Sequence, residues 1–263
     1  MRRGKAPRPQ IARRRERWRA VVGALLFFAL WQAVVSAFRI PTYLLPSPAE
    51  TARTLVGDAG LLGPHLAMTL VETLAGLALA VSLGITLAIV MNASRWSRDL
   101  LYPPLVLSQA VPLMAIAPLL LIWFGLGVLA KVLIVAFVCF FPVTVNAYEG
   151  FRAVDPAYRD LLDTLGATRR DRYRHLYVPA TLPGIVAGLK LAATYSVLGA
   201  VVGEWLGGSK GLGVYMTRSL QSFRTDRLFA AILVVMALSY GLFKLVEVAG
   251  ARLTPWIGRR SHA

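Results

Sequence analysis

The 263-residue chain has one cysteine, Cys139, so no intrachain disulfide can form and cysteine usage says nothing about compartment. That cysteine lies in an apolar run, where a packing role is expected. Histidine is almost as scarce. His65, His175 and His262 are far apart in sequence, and no His/Cys group has metal-ligand spacing, so no metal centre is expected. Catalytic constellations and internal repeats are missing too, and the chain is not read as an enzyme. Acidic residues number 13 against 29 Lys and Arg, a net charge of +16. An excess of that size admits a nucleic-acid partner, but its distribution makes one unnecessary. Gly207-Gly208-Ser209-Lys210-Gly211-Leu212-Gly213 superficially resembles a phosphate loop. It lacks the G-x4-G-K-[ST] spacing, and a flexible turn is expected instead.

What the chain has in abundance is apolar residues, 57% of the total. A soluble core of this size cannot hide that many, so the composition implies a polytopic, all-α membrane protein without a separate soluble module. Six spans are expected, near 20–38, 65–91, 100–124, 128–148, 184–206 and 228–250. With the N-terminus placed inside, most Lys and Arg fall on one side: residues 1–19, Arg95 and Arg98, Arg152 to Arg174, and the last dozen residues. The positive-inside rule then sets both termini in the cytoplasm.

Residues 1–19 read as a basic cytoplasmic tail that lies against anionic headgroups, and 20–38 as a first anchor. Val35-Ser36-Ala37 is a passable signal cleavage site, but the apolar run is longer than a signal region and an anchor is the stronger reading. Residues 39–64 form an external linker, 65–250 the core, and 251–263 a second cytoplasmic tail.

Polar groups inside spans are costly, about 2.5–3.5 kcal/mol each at a helix centre, and mark pathways or buried partners. Glu72 is the deepest acid and Lys190 the deepest base; they either pair with each other or face a watery cavity. Gln109, Asn146, Ser196 and Glu204 join them as candidates for a solute pathway, or else bond neighbouring helices. Lys244 and Glu247 share a helix face. The third span carries Pro103, Pro104, Pro112 and Pro118, which fits either a discontinuous pathway helix or a kinked packing helix.

The segment 152–183 is the one long polar interruption. Asp155 caps a helix that begins with Pro156 and repeats Tyr158, Leu161, Leu162 and Leu165 on one face. Gly166 stands where a left-handed stop is expected. Thr168 caps a second helix, with Asp171 completing a capping box. That helix is expected to give way at Val178-Pro179. The result is an apolar knuckle on a basic support, suited to a groove on another protein.

Gly166, nine residues, then Leu176-Tyr177-Val178-Pro179 resembles the EAA signature of importer-type ABC transporter permeases, EAA-x3-G-x9-I-x-L-P. Asp160-Leu161-Leu162 stands where the family has Glu-Ala-Ala. The likeness runs from about Leu44 to Trp256 and is greatest to the nitrate/sulfonate/taurine branch. Gln109-Ala110-Val111-Pro112-Leu113, Pro118 to Gly125 and Glu204 to Gly213 carry it.

The resemblance implies a permease, a homodimer or half of a permease pair, on an ATPase present in two copies. ATP and Mg2+ would belong to that partner and no cofactor to this chain. An extracytoplasmic binding protein would deliver solute. Tyr158, Asp160, Leu161, Leu162, Leu165, Gly166, Leu176, Val178 and Pro179 would couple to the ATPase. Family solutes include nitrate, sulfonates, taurine, riboflavin and aminopyrimidine precursors of thiamine, with the last group favoured here. An energy-coupling scaffold for a separate substrate-binding membrane subunit is the alternative.

Overall fold

A computed structural model describes residues 10–256, and their secondary structure is helical with no strand. The expected all-α architecture is therefore what is found. Residues 1–9 of the basic N-terminal tail and 257–263 of the C-terminal tail lie outside the described residues. The described part of the first tail is already helical, because α1 runs Gln10–Ala37 without a break at Ala20.

The remaining helices are α2 Pro48–Gly57, α3 Ala59–Ala93, α4 Arg95–Ser108, α5 Leu113–Phe124 and α6 Val128–Arg152. After them come α7 Pro156–Thr164, α8 Arg169–Arg172, α9 Val178–Leu206, α10 Leu212–Gln221 and α11 Thr225–Leu253. Of these, α3, α6, α11 and the continuous helix Arg169–Leu206 are long and apolar enough to cross a membrane. The pair α4 and α5 makes a fifth if it counts as one span, and Val21–Ala37 is a shorter apolar helix. The chain divides into two compact units, one of residues through Ala59 with Ser219–Ala230, the other of Gly60–Arg218 with the residues from Ala231 onward.

In the first unit, Ser47 and Glu50 form a reciprocal capping box at the start of α2, with Pro48 at the first helical position. The Ser47 backbone N–H donates to the Glu50 carboxylate at 2.8 Å and, with help from the Ser47 hydroxyl, holds that carboxyl below its usual range. Further along, Asp226 receives a two-pronged bond from Arg224 and the hydroxyl of Thr54 at 2.9 Å.

In the second unit the core is the α6–α9 interface. Two glycines one turn apart on α9 let the backbones meet. A Cβ on Gly188 would stand 2.6 Å from the Pro142 carbonyl oxygen, and one on Gly184 would meet the Asn146 carbonyl. Small residues at such a crossing are how helices pack when lipid removes the hydrophobic drive between them. Cys139, fully buried here, donates to the Ala192 carbonyl at 3.2 Å, consistent with its expected packing role.

Of the two readings of the proline-rich third span, the discontinuous helix is what is found, and one other expectation needs correction. In the third span α4 and α5 meet at 101° across Gln109–Pro112. Pro112 has no N–H to continue the ladder and drives Val111 out of the helical region. The second helix of the polar loop, in turn, does not stop at Val178-Pro179. It passes through a π-turn at Tyr173–Tyr177, where Val178 N–H reaches back to the Tyr173 carbonyl, and continues as α9. The wider turn accommodates a proline that a regular ladder would reject.

Candidate functional site

The loop between α6 and α9 has the local structure its sequence dictates. Asp155 accepts from Ala157 N–H at 2.9 Å and caps α7, with Pro156 next. Gly166 takes φ +70, with nothing within 4 Å of a Cβ placed there, so conformation and not space demands glycine. Gly166 N–H bonds Asp163 O at 3.1 Å and Ala167 N–H bonds Leu162 O at 2.9 Å, the paired bonds of a Schellman stop. Thr168 and Asp171 then form the expected capping box.

Tertiary contacts fix the angle of this corner. Arg172 Nη1 meets Asp163 Oδ1 at 2.8 Å, tying α8 back onto α7. The Arg159 guanidinium lies 5.5 Å over the Tyr177 ring and donates to the carbonyls of Phe151 and Val154. On the outer side Tyr158, Leu161 and Leu165 are 58%, 54% and 70% exposed, while Leu162 is half-buried. Asp160 is exposed beside them; Leu176 and Pro179 are half-buried and Val178 exposed at the base.

A second constellation lies where α3, α6 and α9 meet the segment before α10. Glu72 is fully buried and its Oε1 lies 3.0 Å from Lys131 Nζ. Its expected partner, Lys190, instead lies half-exposed 4.0 Å from Glu247, which also holds Lys244. The Glu204 carboxyl neighbours that of Glu72 and accepts from Thr69 Oγ1 and Gly213 N–H, both at 2.6 Å. Thr69 Oγ1 in turn accepts from Leu212 N–H at 2.8 Å, and Nδ1 of His65 faces Gly211 N at 3.0 Å.

Three successive backbone N–H groups at the start of α10 are therefore occupied by side chains of α3 and α9. Those three N–H groups of the glycine-rich stretch are therefore not free to cradle a phosphate. Lys131 packs against the same stretch, with its Nζ 2.7 Å from where a Cβ on Gly208 would stand.

Of the remaining candidates, Asn146 donates to the Pro142 carbonyl at 2.8 Å and Ser196 to Ala193 at 2.9 Å, each within its own helix. Gln109 is exposed in the break between α4 and α5. The structure thus brings Glu72 and Glu204 together and leaves Gln109, Asn146, Lys190 and Ser196 apart from them. Sequence reasoning missed Lys131, Thr69 and His65. Lys131 falls in the first turn of the expected fourth span, 128–148, where it counts among the external charges at the span's end; the apolar run Val132 to Phe141 after it was the available hint.

Residues 80–255 match the family described as binding-protein-dependent transport system inner membrane component. The formylaminopyrimidine transport permease protein of Halalkalibacterium halodurans is 37% identical over 88% of this chain and 93% of its own length. The taurine transport system permease protein of Escherichia coli is 30% identical over 90% and 89%. Among solved structures, an amino acid ABC transporter chain superimposes with a TM-score of 0.60, covering 77% of this chain and 96% of its own, at 21% identity; that likeness speaks for the fold.

Proposed function

The chain belongs to the family of binding-protein-dependent transport system inner membrane components, and from that premise we propose how it couples and what it carries. It is a permease subunit of an ABC importer, a multi-pass protein of the inner membrane, and ATP is hydrolysed by a separate ATPase. In our reading two copies of this chain carry two copies of that ATPase, with ATP and Mg2+ held wholly by the partner. Both termini face the cytoplasm, and a solute-binding protein docks on the opposite side.

The observation that supports this reading is the uncovered apolar face of α7. Tyr158, Leu161 and Leu165 stand in the open on a capped, ion-paired corner, where an apolar face is otherwise costly to leave in water. We read that face as the part that enters a groove of the ATPase, with Asp160 and Leu162 at its edge and Leu176, Val178 and Pro179 at its base. Closure of the ATPase pair on ATP then draws two such loops together. Gly166 turns the chain so that α9, continuous with the base of the loop, receives the motion. For the solute pathway we favour Gln109, Asn146 and Lys190 as groups that meet solute. Glu72, Ser196 and Glu204, which have almost no exposed surface, shape the route from behind.

For the solute we favour an aminopyrimidine precursor of thiamine, supported by the 37% identity to a formylaminopyrimidine permease along most of both chains. A sulfonate such as taurine is the second reading, supported by the 30% relative. The test is ATP-dependent uptake of a labelled formylaminopyrimidine and of labelled taurine, in cells with and without the gene. Loss of the first alone supports our reading; loss of the second alone replaces it with the sulfonate branch.

A further inference from the structure

We propose that the corner between α3 and α4 holds a binding site for the phosphate of an anionic phospholipid. A cavity of about 460 Å³ opens there, lined by Arg95, Arg98, Arg152 and Arg159 with Asn92 and Tyr148, and no carboxylate lines it. A smaller cavity of about 260 Å³ shares Asn92 and adds Arg169 and Arg172.

The charges around this cavity are poorly compensated. Among the described residues Arg98 and Arg152 have only long, exposed ion pairs, to Asp99 at 3.9 Å and Glu149 at 3.5 Å. Arg95 makes no ion pair among the described residues. Among the described residues Arg159, half-buried, meets no carboxylate: it lies over the Tyr177 ring and makes two long bonds to carbonyls, at 3.3 and 3.4 Å, while its buried Nε has no partner there. A guanidinium held in place without an acid is a fork waiting for an oxyanion, and phosphate oxygens match that fork in geometry and charge.

The level of the cavity selects the source of the phosphate. The apolar helices α3 and α6 end at Ala93 and Arg152, at its mouth, and α4 starts there with Trp96 exposed beside Arg95. Basic pockets between helices at the depth where spans end, flanked by an amphipathic aromatic ring, recognise headgroups. The site differs from the α7 apolar face and does not depend on which solute is carried.

The test is native mass spectrometry of the detergent-extracted transporter, permease with its ATPase, titrated with phosphatidylglycerol, phosphatidylcholine or inorganic phosphate. The intact complex should retain phosphatidylglycerol roughly tenfold more tightly than phosphatidylcholine, and Arg95→Gln with Arg159→Gln should abolish that preference. If the double variant does not fold, Arg95→Gln alone, at an exposed position, should reduce the preference; Arg53→Gln, outside the cavity, should leave it. Equal retention of both lipids, or an unchanged preference in the variants, overturns the proposal. Displacement of phosphatidylglycerol by an equal concentration of inorganic phosphate also overturns it, because the ligand is then the free ion.

Discussion

Lys131 and Glu72 meet at 3.0 Å with side chains 2% and 0% exposed, a wholly buried ion pair between α6 and α3. Each charge alone is costly at this depth, and the pair exists because each removes the other's penalty. Lys131→Met should leave Glu72 unpaired and destabilise the fold by about 3–5 kcal/mol, whereas Glu72→Met with Lys131→Met should recover most of that loss. Thermal unfolding of the purified single and double variants checks this. A double variant no more stable than the single would show that the pair is not the source of the effect.

Glu204 ties the start of α10 to α3 through Thr69 and Gly213. Glu204→Ala leaves the Gly213 N–H without its acceptor inside the protein, at a cost of about 1–3 kcal/mol. Amide hydrogen exchange read along the chain should quicken through α10 more than through α6. Equal acceleration in both helices would contradict a local latch.

The corner at Gly166 makes a different demand. A β-branched residue in the left-handed region costs at least about 1–2 kcal/mol, while Asn tolerates it better. Gly166→Val should therefore lose ATP-driven uptake in folded protein and Gly166→Asn should keep more of it. Uptake in the valine variant equal to wild type would refute the corner's role.

How much of this was legible beforehand follows from the range of each interaction. The caps at Asp155, Thr168–Asp171 and Gly166 involve residues two to five apart, and the sequence displays them directly. Apolar length likewise revealed the long spans. The Glu72–Lys131 pair joins residues 59 apart, and no spacing rule reaches that far. Counting Lys131 with the external charges at the end of its span removed it from consideration, so Glu72 was left with Lys190 as the only deep base in view. The prolines were an uneven guide. Pro112 breaks its span into two helices, one of the two readings its sequence allowed, while Pro179 is absorbed by a π-turn whose extra residue no propensity signals.

The central claim is that the α7 face carries the ATPase. Leu161→Asp, at an exposed position where the fold itself loses little, places a charge in the middle of that face. The decisive measurement is how much ATPase co-purifies with this variant from membranes in which the permease is present at wild-type level. The account predicts that the ATPase is lost and ATP-driven uptake with it. An ATPase that stays bound at wild-type stoichiometry would contradict it.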